Sequence, residues 1–144
     1  MPTRTSRTAW KGSLEEGSGQ VEMSSSEIGT FDVSFPKRAS DKADGTTSPE
    51  ELIAAAHSSC YAMQFSALLG EAGGTVNSLD VTADVSMGPE QSGGFKLTGI
   101  VLNVSGDVDG IDGDAIRKAA EQAKDTCPVS KALSGVEITL KTDF

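Results

Sequence analysis

The sequence has few of the side chains that act as nucleophiles or metal ligands. It contains two cysteines and one histidine, and aromatic residues make up only 5% of its 144 positions, so the core must be built from Val, Ile, Leu, Met and Ala. No stretch approaches the roughly 18 consecutive apolar residues of a membrane helix, and residues 1–17 lack the apolar segment of a signal peptide. We therefore expect a water-soluble, cytoplasmic protein with one domain, residues 1–144.

Positive charge is also scarce. Twelve Lys and Arg residues against 21 Asp and Glu residues give a formal net charge of -9. An acidic surface repels polyanions, so neither nucleic acid nor an anionic membrane is an expected partner. In the cytoplasm a permanent structural disulfide is disfavoured, so Cys60 and Cys127 are expected to be inert, metal-binding or redox-active.

The first half of the chain predicts three short strands followed by a long helix. The strands are predicted in SRTAWKGSL, GQVEMSSS and GTFDVSF, which carry β-type residues broken by Gly and Ser. The polar segment Pro36–Ser48 is predicted to be a loop. Ser48 suits a helix N-cap, Pro49 the first helical position, and Glu51 completes a capping box. The helix should run to about Glu71, where GEAGG ends it.

The next segment predicts a β-hairpin. Apolar residues alternate in TVNSLDVTADVSM, at Leu79, Val81, Ala83, Val85 and Met87. The expected partner strand, GFKLTGIVLNVSGDV, changes its apolar phase around Gly99, which predicts a β-bulge there.

The C-terminal segment predicts two helices and a closing strand. Asp112 can cap the first helix, and Pro128 then breaks it and can open a short second one. One apolar stripe of the first helix comprises Ile116, Ala119, Ala120, Ala123 and Cys127. VEITLKTDF closes the chain as a strand, so the element order predicts an α+β fold, a mostly antiparallel sheet packed on the long helix that carries Cys60.

Cys60 follows a run of small residues, AAAHSSC, which allows close packing of the helix. One interpretation is that Cys60 is simply another small buried residue. Three observations favour a reactive thiol. Cys127 also lies on an apolar helical stripe, and Pro128 places it at a helix boundary, where free N–H groups favour a thiolate. Arg38 supplies a cation just before the Cys60 helix.

Two segments resemble the OsmC/Ohr family of thiol peroxidases. TSPEELIAAAHSSCYAM resembles the family's segment around its peroxidatic cysteine, and AKDTCPVSKAL resembles the segment around its resolving cysteine. The gap between them, the strand order and the length also fit, and the resemblance covers essentially the whole chain, closer to OsmC than to Ohr. It implies an OsmC-like fold and an intertwined homodimer with active sites at the subunit interface.

The resemblance also implies roles for four residues. Cys60 would be the peroxidatic cysteine, and Cys127 the resolving cysteine that forms an intramolecular disulfide with it. Arg38 matches the family arginine that stabilises the thiolate and polarises the peroxide, and Glu50 matches the glutamate that holds this arginine. The implied activity is reduction of organic hydroperoxides and hydrogen peroxide without metal, haem or flavin, with re-reduction by an external dithiol, in the family a lipoyl-type one.

Helix geometry restricts how Glu50 can act. Glu50 and Cys60 are ten residues apart, about 15 Å of helical rise and about 80° of rotation, so the carboxylate cannot contact the thiol of its own helix. Glu50 must act through Arg38 or come from another subunit. The small residues before Cys60 suit two closely packed subunits, and a homodimer is predicted.

His57, one turn before Cys60, leaves alternatives open. A Cys–His pair could serve a hydrolase, and His57, Cys60 and Cys127 could form a Cys2His zinc site. The interpretation preferred here is a histidine in the helix interface, hydrogen-bonded to backbone or solvent. A non-catalytic alternative is a protein that binds a small apolar ligand or a stress-linked partner, with both thiols inert. Tyr61, Met63 and Phe65 are interpreted as core, with a substrate pocket as the alternative.

Overall fold

The computed structural model describes residues 1–144, which fold into two compact units, Met1–Leu52 and Ile53–Phe144. The first unit contains β1 (Arg7–Lys11), β2 (Ser18–Glu22), β3 (Thr30–Val33) and α1 (Phe35–Arg38). Helix α2 (Pro49–Glu71) begins in the first unit and continues into the second. The remaining elements are β4 (Thr75–Pro89), β5 (Phe95–Asp109), α3 (Gly113–Thr126), α4 (Pro128–Ala132) and β6 (Ile138–Asp143).

The first unit is a small antiparallel sheet with almost no core. Strand β2 pairs with β1 and β3, so the three predicted strands are confirmed. Val21 is its only buried large apolar residue, whereas Trp10 and Phe31 remain more than 40% exposed. This sheet therefore leaves apolar surface uncovered within a single chain.

Part of the predicted loop Pro36–Ser48 is helical instead. Helix α1 begins after Ser34, whose Oγ accepts a hydrogen bond from the Lys37 N–H at 3.4 Å. Pro36 occupies the first turn, where its missing N–H costs nothing. The segment was predicted as a loop because of its polar composition. The single helical turn ends at Arg38 and so fixes the backbone of that residue.

Helix α2 has the predicted bounds, Pro49–Glu71. The Ser48 Oγ accepts from the Glu51 N–H at 3.2 Å, while the Glu51 carboxylate accepts from the Thr47 hydroxyl instead of completing the capping box. The helix ends at Glu71, and Gly73, two residues later, has a φ of 88° that suits glycine.

By length and composition alone, α2 could cross a membrane. Core helices of globular proteins meet the same criteria, and Tyr61, Phe65 and Leu69 of α2 are fully buried by the protein itself.

The second unit holds the main hydrophobic core, in which α2 packs on a sheet and on α3. Buried residues come from α2, β5 and α3: Tyr61, Phe65, Leu68, Leu69, Leu102, Val104, Ile116, Ala119, Ala120 and Ala123. The predicted α3 stripe is therefore confirmed, as is its Asp112 cap, whose Oδ1 accepts from the Ala115 N–H at 2.8 Å. Tyr61 adds a polar tether, because its hydroxyl donates to the Ala120 carbonyl at 2.9 Å.

The sheet of the second unit has the order β4-β5-β6. Strands β4 and β5 form the predicted hairpin, and Thr98 is skipped between the pairs Ser86–Gly99 and Met87–Leu97, which confirms the bulge near Gly99. Strand β6, however, is parallel to β5. The α+β prediction is confirmed with two corrections: there are two three-stranded sheets, and the α3–α4 connection returns the chain in the direction of β5.

Replacing Phe65 by alanine is expected to lower the free energy of unfolding by about 3–5 kcal/mol. Phe65 is fully buried, and its ring centroid lies 5.7 Å from those of Tyr61 and Phe144. Urea unfolding followed by circular dichroism measures the change. Phe95→Ala is the matched control, because Phe95 is 62% exposed; an equal loss in both variants would contradict the assigned core.

Candidate functional site

The two cysteines meet in the second unit. Cys60 lies in the middle of α2, and Cys127 is the residue between α3 and α4, where Pro128 prevents α3 from continuing. The Cys127 Sγ and the Cys60 Sγ lie 3.0 Å apart, within hydrogen-bonding distance, and both thiols are free. A disulfide has an S–S length of about 2.05 Å, so only a small movement separates this pair from a covalent bond.

The two thiols differ in exposure. Cys127 is completely buried, whereas Cys60 is only partly buried. In the single chain, Cys60 is therefore the more accessible of the two cysteines to a small molecule from solvent. This difference in exposure favours Cys60 as the thiol that an external oxidant attacks first.

The surroundings of Cys60 within its unit mainly disfavour the thiolate. Burial raises the pKa of Cys60 above its ordinary value, and the hydrogen bond and charge of Cys127 raise it further. A backbone hydrogen bond from Val129, in the first turn of α4, acts in the opposite direction and is outweighed. Since the thiolate is the reactive species, rapid reaction at neutral pH requires a cation at the sulfur.

Arg38 and Glu50 form an ion pair in the first unit. The Arg38 Nη2 donates to the Glu50 Oε1 at 2.6 Å, and the Nε donates to Oε2 at 3.1 Å. The hydrogen bond with Glu50 raises the pKa of Arg38. Burial alone would raise the pKa of Glu50, but hydrogen bonds, chiefly from Arg38, lower it. Both groups are thus charged, and Arg38 retains its Nη1 donors for another acceptor.

An apolar cavity of about 410 Å³ lies beside Arg38 within the first unit. Its apolar lining includes Trp10, Leu14, Val21, Val33, Phe35 and Leu52. The sequence did not indicate this cavity, because its lining comes from several separate elements. Of the three aromatic or apolar residues interpreted as core, Tyr61 and Phe65 are confirmed, whereas Met63 is exposed.

His57 faces a serine and not the thiols. Its Nε2 lies 2.8 Å from the Ser130 Oγ, in a fully buried setting, and its Nδ1 has no partner. Burial lowers the pKa of His57, so the ring is neutral at neutral pH. The prediction that His57 is hydrogen-bonded to backbone or solvent was wrong, because its partner is the Ser130 side chain. Nothing in the sequence indicated Ser130 as the hydrogen-bond partner of His57, apart from its position about one turn after Cys127.

The geometry does not support the two enzymatic alternatives based on His57. His57 makes no hydrogen bond with Cys60, so the nucleophile–base pair of a hydrolase is missing. No three His, Cys, Asp or Glu side chains are grouped to hold a metal ion, so His57, Cys60 and Cys127 do not form the Cys2His set.

Comparison with known proteins identifies close relatives of the sequence. Residues 41–141 match the family model described as OsmC-like protein. The chain is 40% identical over 131 residues to peroxiredoxin OsmC of Escherichia coli strain K12, covering 91% of this chain and 89% of that protein. It has the same identity and coverage with peroxiredoxin OsmC of Shigella flexneri.

Solved structures have the same fold. An organic hydroperoxide resistance protein OsmC from Legionella pneumophila superposes with a TM-score of 0.77 at 23% identity, covering 100% of both chains. An organic hydroperoxide resistance protein from Elizabethkingia anophelis gives 0.76 at 26% identity, covering 99% of this chain and 97% of that one. OhrB of Bacillus subtilis gives 0.73 at 25% identity, covering 96% and 98%. This chain belongs to the OsmC-like protein family.

Proposed function

We propose that this protein is a cysteine-based peroxidase that reduces organic hydroperoxides and, to some degree, hydrogen peroxide. The observation that carries the proposal is the Cys60–Cys127 contact at 3.0 Å, in which Cys127 is completely buried and Cys60 only partly buried. Cys60 is the peroxidatic cysteine and Cys127 the resolving cysteine. The relatives named peroxiredoxin and organic hydroperoxide resistance protein support the same reaction class.

The reaction proceeds in two steps at sulfur. The Cys60 thiolate attacks the distal oxygen of ROOH and the O–O bond breaks, giving a Cys60 sulfenic acid and RO⁻, which takes a proton to become ROH. The Cys127 thiol then displaces the sulfenic hydroxyl, which leaves as water, and forms the Cys60–Cys127 disulfide. An external dithiol, for which a lipoyl-type group is the candidate, returns both cysteines to thiols.

The Arg38–Glu50 pair supplies the positive charge that this chemistry needs. A guanidinium near Cys60 favours the thiolate and stabilises the alkoxide that forms as the O–O bond breaks. Glu50 is a positioning residue, because its two-point ion pair fixes the guanidinium. The apolar cavity beside Arg38 is large enough for an organic group, and its lining lies wholly in the first unit.

The proposed assembly is a homodimer with the active sites at the subunit interface, in which both units form one OsmC-like domain. One face of α2 is exposed in the single chain and consists of small residues and one methionine: Ala56, Ser59, Met63, Ala67 and Gly70. The exposed apolar residues of the first unit, Trp10 and Phe31, also need a covering surface. A cytoplasmic location stays a prediction from the sequence.

The test is a single addition of one equivalent of cumene hydroperoxide to the reduced protein. The expected product has lost two hydrogens and yields a Cys60–Cys127 crosslinked peptide by mass spectrometry. A Cys127→Ser variant should stop at a sulfenic acid on Cys60. If both thiols stayed free through minutes of exposure, the peroxidase proposal would be wrong and the inert-thiol alternative correct.

A further inference from the structure

A buried polar pair joins the two elements that carry the reacting sulfurs. His57 is in α2, one turn before Cys60, and Ser130 is in α4, which begins directly after Cys127. Their side chains are 0% and 5% exposed, and the His57 Nε2 and the Ser130 Oγ are 2.8 Å apart. Apart from the contacts of the Cys60 sulfur with Cys127 and Val129, it is the only side-chain hydrogen bond between α2 and residues 127–132.

Helix α4 needs contacts with the rest of the fold to hold its position. It has five residues, too few to be stable as an isolated helix. Two contacts with the Cys60 sulfur nevertheless come from the start of this helix. Cys127, the residue before α4, contributes its thiol, and Val129 supplies a backbone hydrogen bond. Both depend on how α4 lies against α2.

Stability alone does not explain a histidine at this position. Its Nδ1 is buried without a partner, and burial disfavours its charged form. Replacing a buried hydrogen-bonded pair by apolar groups of the same shape is often neutral or stabilising. Burying the unpaired Nδ1 of His57 therefore costs stability, and the directed hydrogen bond between its Nε2 and Ser130 is the feature that an apolar residue could not supply.

We propose that His57 and Ser130 are positioning residues for the resolving step, an inference that rests on the proposed peroxidase function. Their hydrogen bond holds Cys127 against Cys60, so that the sulfenic acid is captured quickly. Capture converts Cys60–SOH and Cys127–SH into the disulfide and water. The competing reaction converts Cys60–SOH and a second ROOH into the sulfinic acid Cys60–SO₂H and ROH.

The first test follows the sulfenic acid after a one-equivalent pulse of cumene hydroperoxide, using rapid trapping with dimedone and mass spectrometry. In Ser130→Ala and His57→Leu, disulfide closure should slow at least tenfold, and excess peroxide should yield correspondingly more sulfinic acid. The rate of Cys60 oxidation should fall much less than the closure rate, because only the Val129 hydrogen bond acts on that step. His57→Gln, which keeps a donor and acceptor, should restore much of the closure rate.

The matched control is Ser134→Ala, because Ser134 is exposed and lies one turn after Ser130. Circular dichroism establishes that each variant is folded. Wild-type closure rates in folded Ser130→Ala and His57→Leu would overturn the proposal. So would an equal loss in Cys60 oxidation and in closure, because the pair would then act on Cys60 reactivity and not on resolution.

A second measurement requires no hydroperoxide. Glutathione disulfide oxidises the pair and is reduced to two glutathione molecules, so the equilibrium reports how well the fold holds the two sulfurs together. Ser130→Ala should lower this equilibrium constant at least tenfold, and Ser134→Ala should not. This result would stand even if the wild-type protein failed to consume hydroperoxides, and an unchanged constant would count against the positioning role.

Discussion

Replacing Cys60 by serine is expected to reduce hydroperoxide consumption to the rate of buffer alone. The serine hydroxyl is not ionised at neutral pH and its oxygen cannot accept the peroxide oxygen, so the first step is lost completely. Cys127 cannot substitute, because it is fully buried behind position 60. Consumption of cumene hydroperoxide in the presence of a lipoyl-type dithiol measures the effect.

Cys127→Ser is the control that separates the roles of the two thiols. The partly buried Cys60 remains in that variant, so one equivalent of hydroperoxide should still be consumed in an initial burst. A burst in Cys60→Ser, or its absence in Cys127→Ser, would reverse the assignment and make Cys127 the attacking thiol. The ordering thus rests on exposure, which the sequence alone does not give.

The parts of the fold that depend on local chemistry were predictable from the sequence. Ser48 and Pro49 located the start of α2, Asp112 located the cap of α3, and the phase change at Gly99 located a bulge. Each of these rests on interactions within a few residues. The Arg38 turn escaped prediction because four polar and apolar residues give no helical period.

Contacts between distant segments were not predictable from local patterns, and only the family resemblance implied that Cys60 and Cys127 meet. The Cys60–Cys127 contact joins residues 67 apart, and the His57–Ser130 bond joins residues 73 apart. Both depend on how the α3–α4 turn crosses α2, which is decided by packing in the core and not by any local pattern. The parallel pairing of β6 with β5 was not predicted for the same reason, since the direction of β6 depends on the path of the preceding helices.

Replacing Arg38 by methionine is expected to lower the second-order rate constant for organic hydroperoxides by about 10²–10³, the usual effect of removing one donor to a developing oxyanion. Methionine replaces the aliphatic part of the arginine side chain, lacks the guanidinium, and is compatible with the apolar cavity. The rate should also depend differently on pH. Burial and Cys127 raise the pKa of Cys60, and the Arg38 guanidinium would oppose this shift. Without Arg38, the midpoint of the pH–rate profile should therefore move to higher pH.

Lys37→Met is the matched control for this prediction. Lys37 is the neighbouring cation on α1, but it pairs with Asp44 at 2.7 Å and not with Glu50, so its removal should change the rate less than twofold. Glu50→Gln should fall between the two, because it loosens the guanidinium and keeps its charge. Stopped-flow rates across pH 5–9 decide the matter. Equal effects of Arg38→Met and Lys37→Met would mean that only net charge matters, and that the ion pair has no directed role at Cys60.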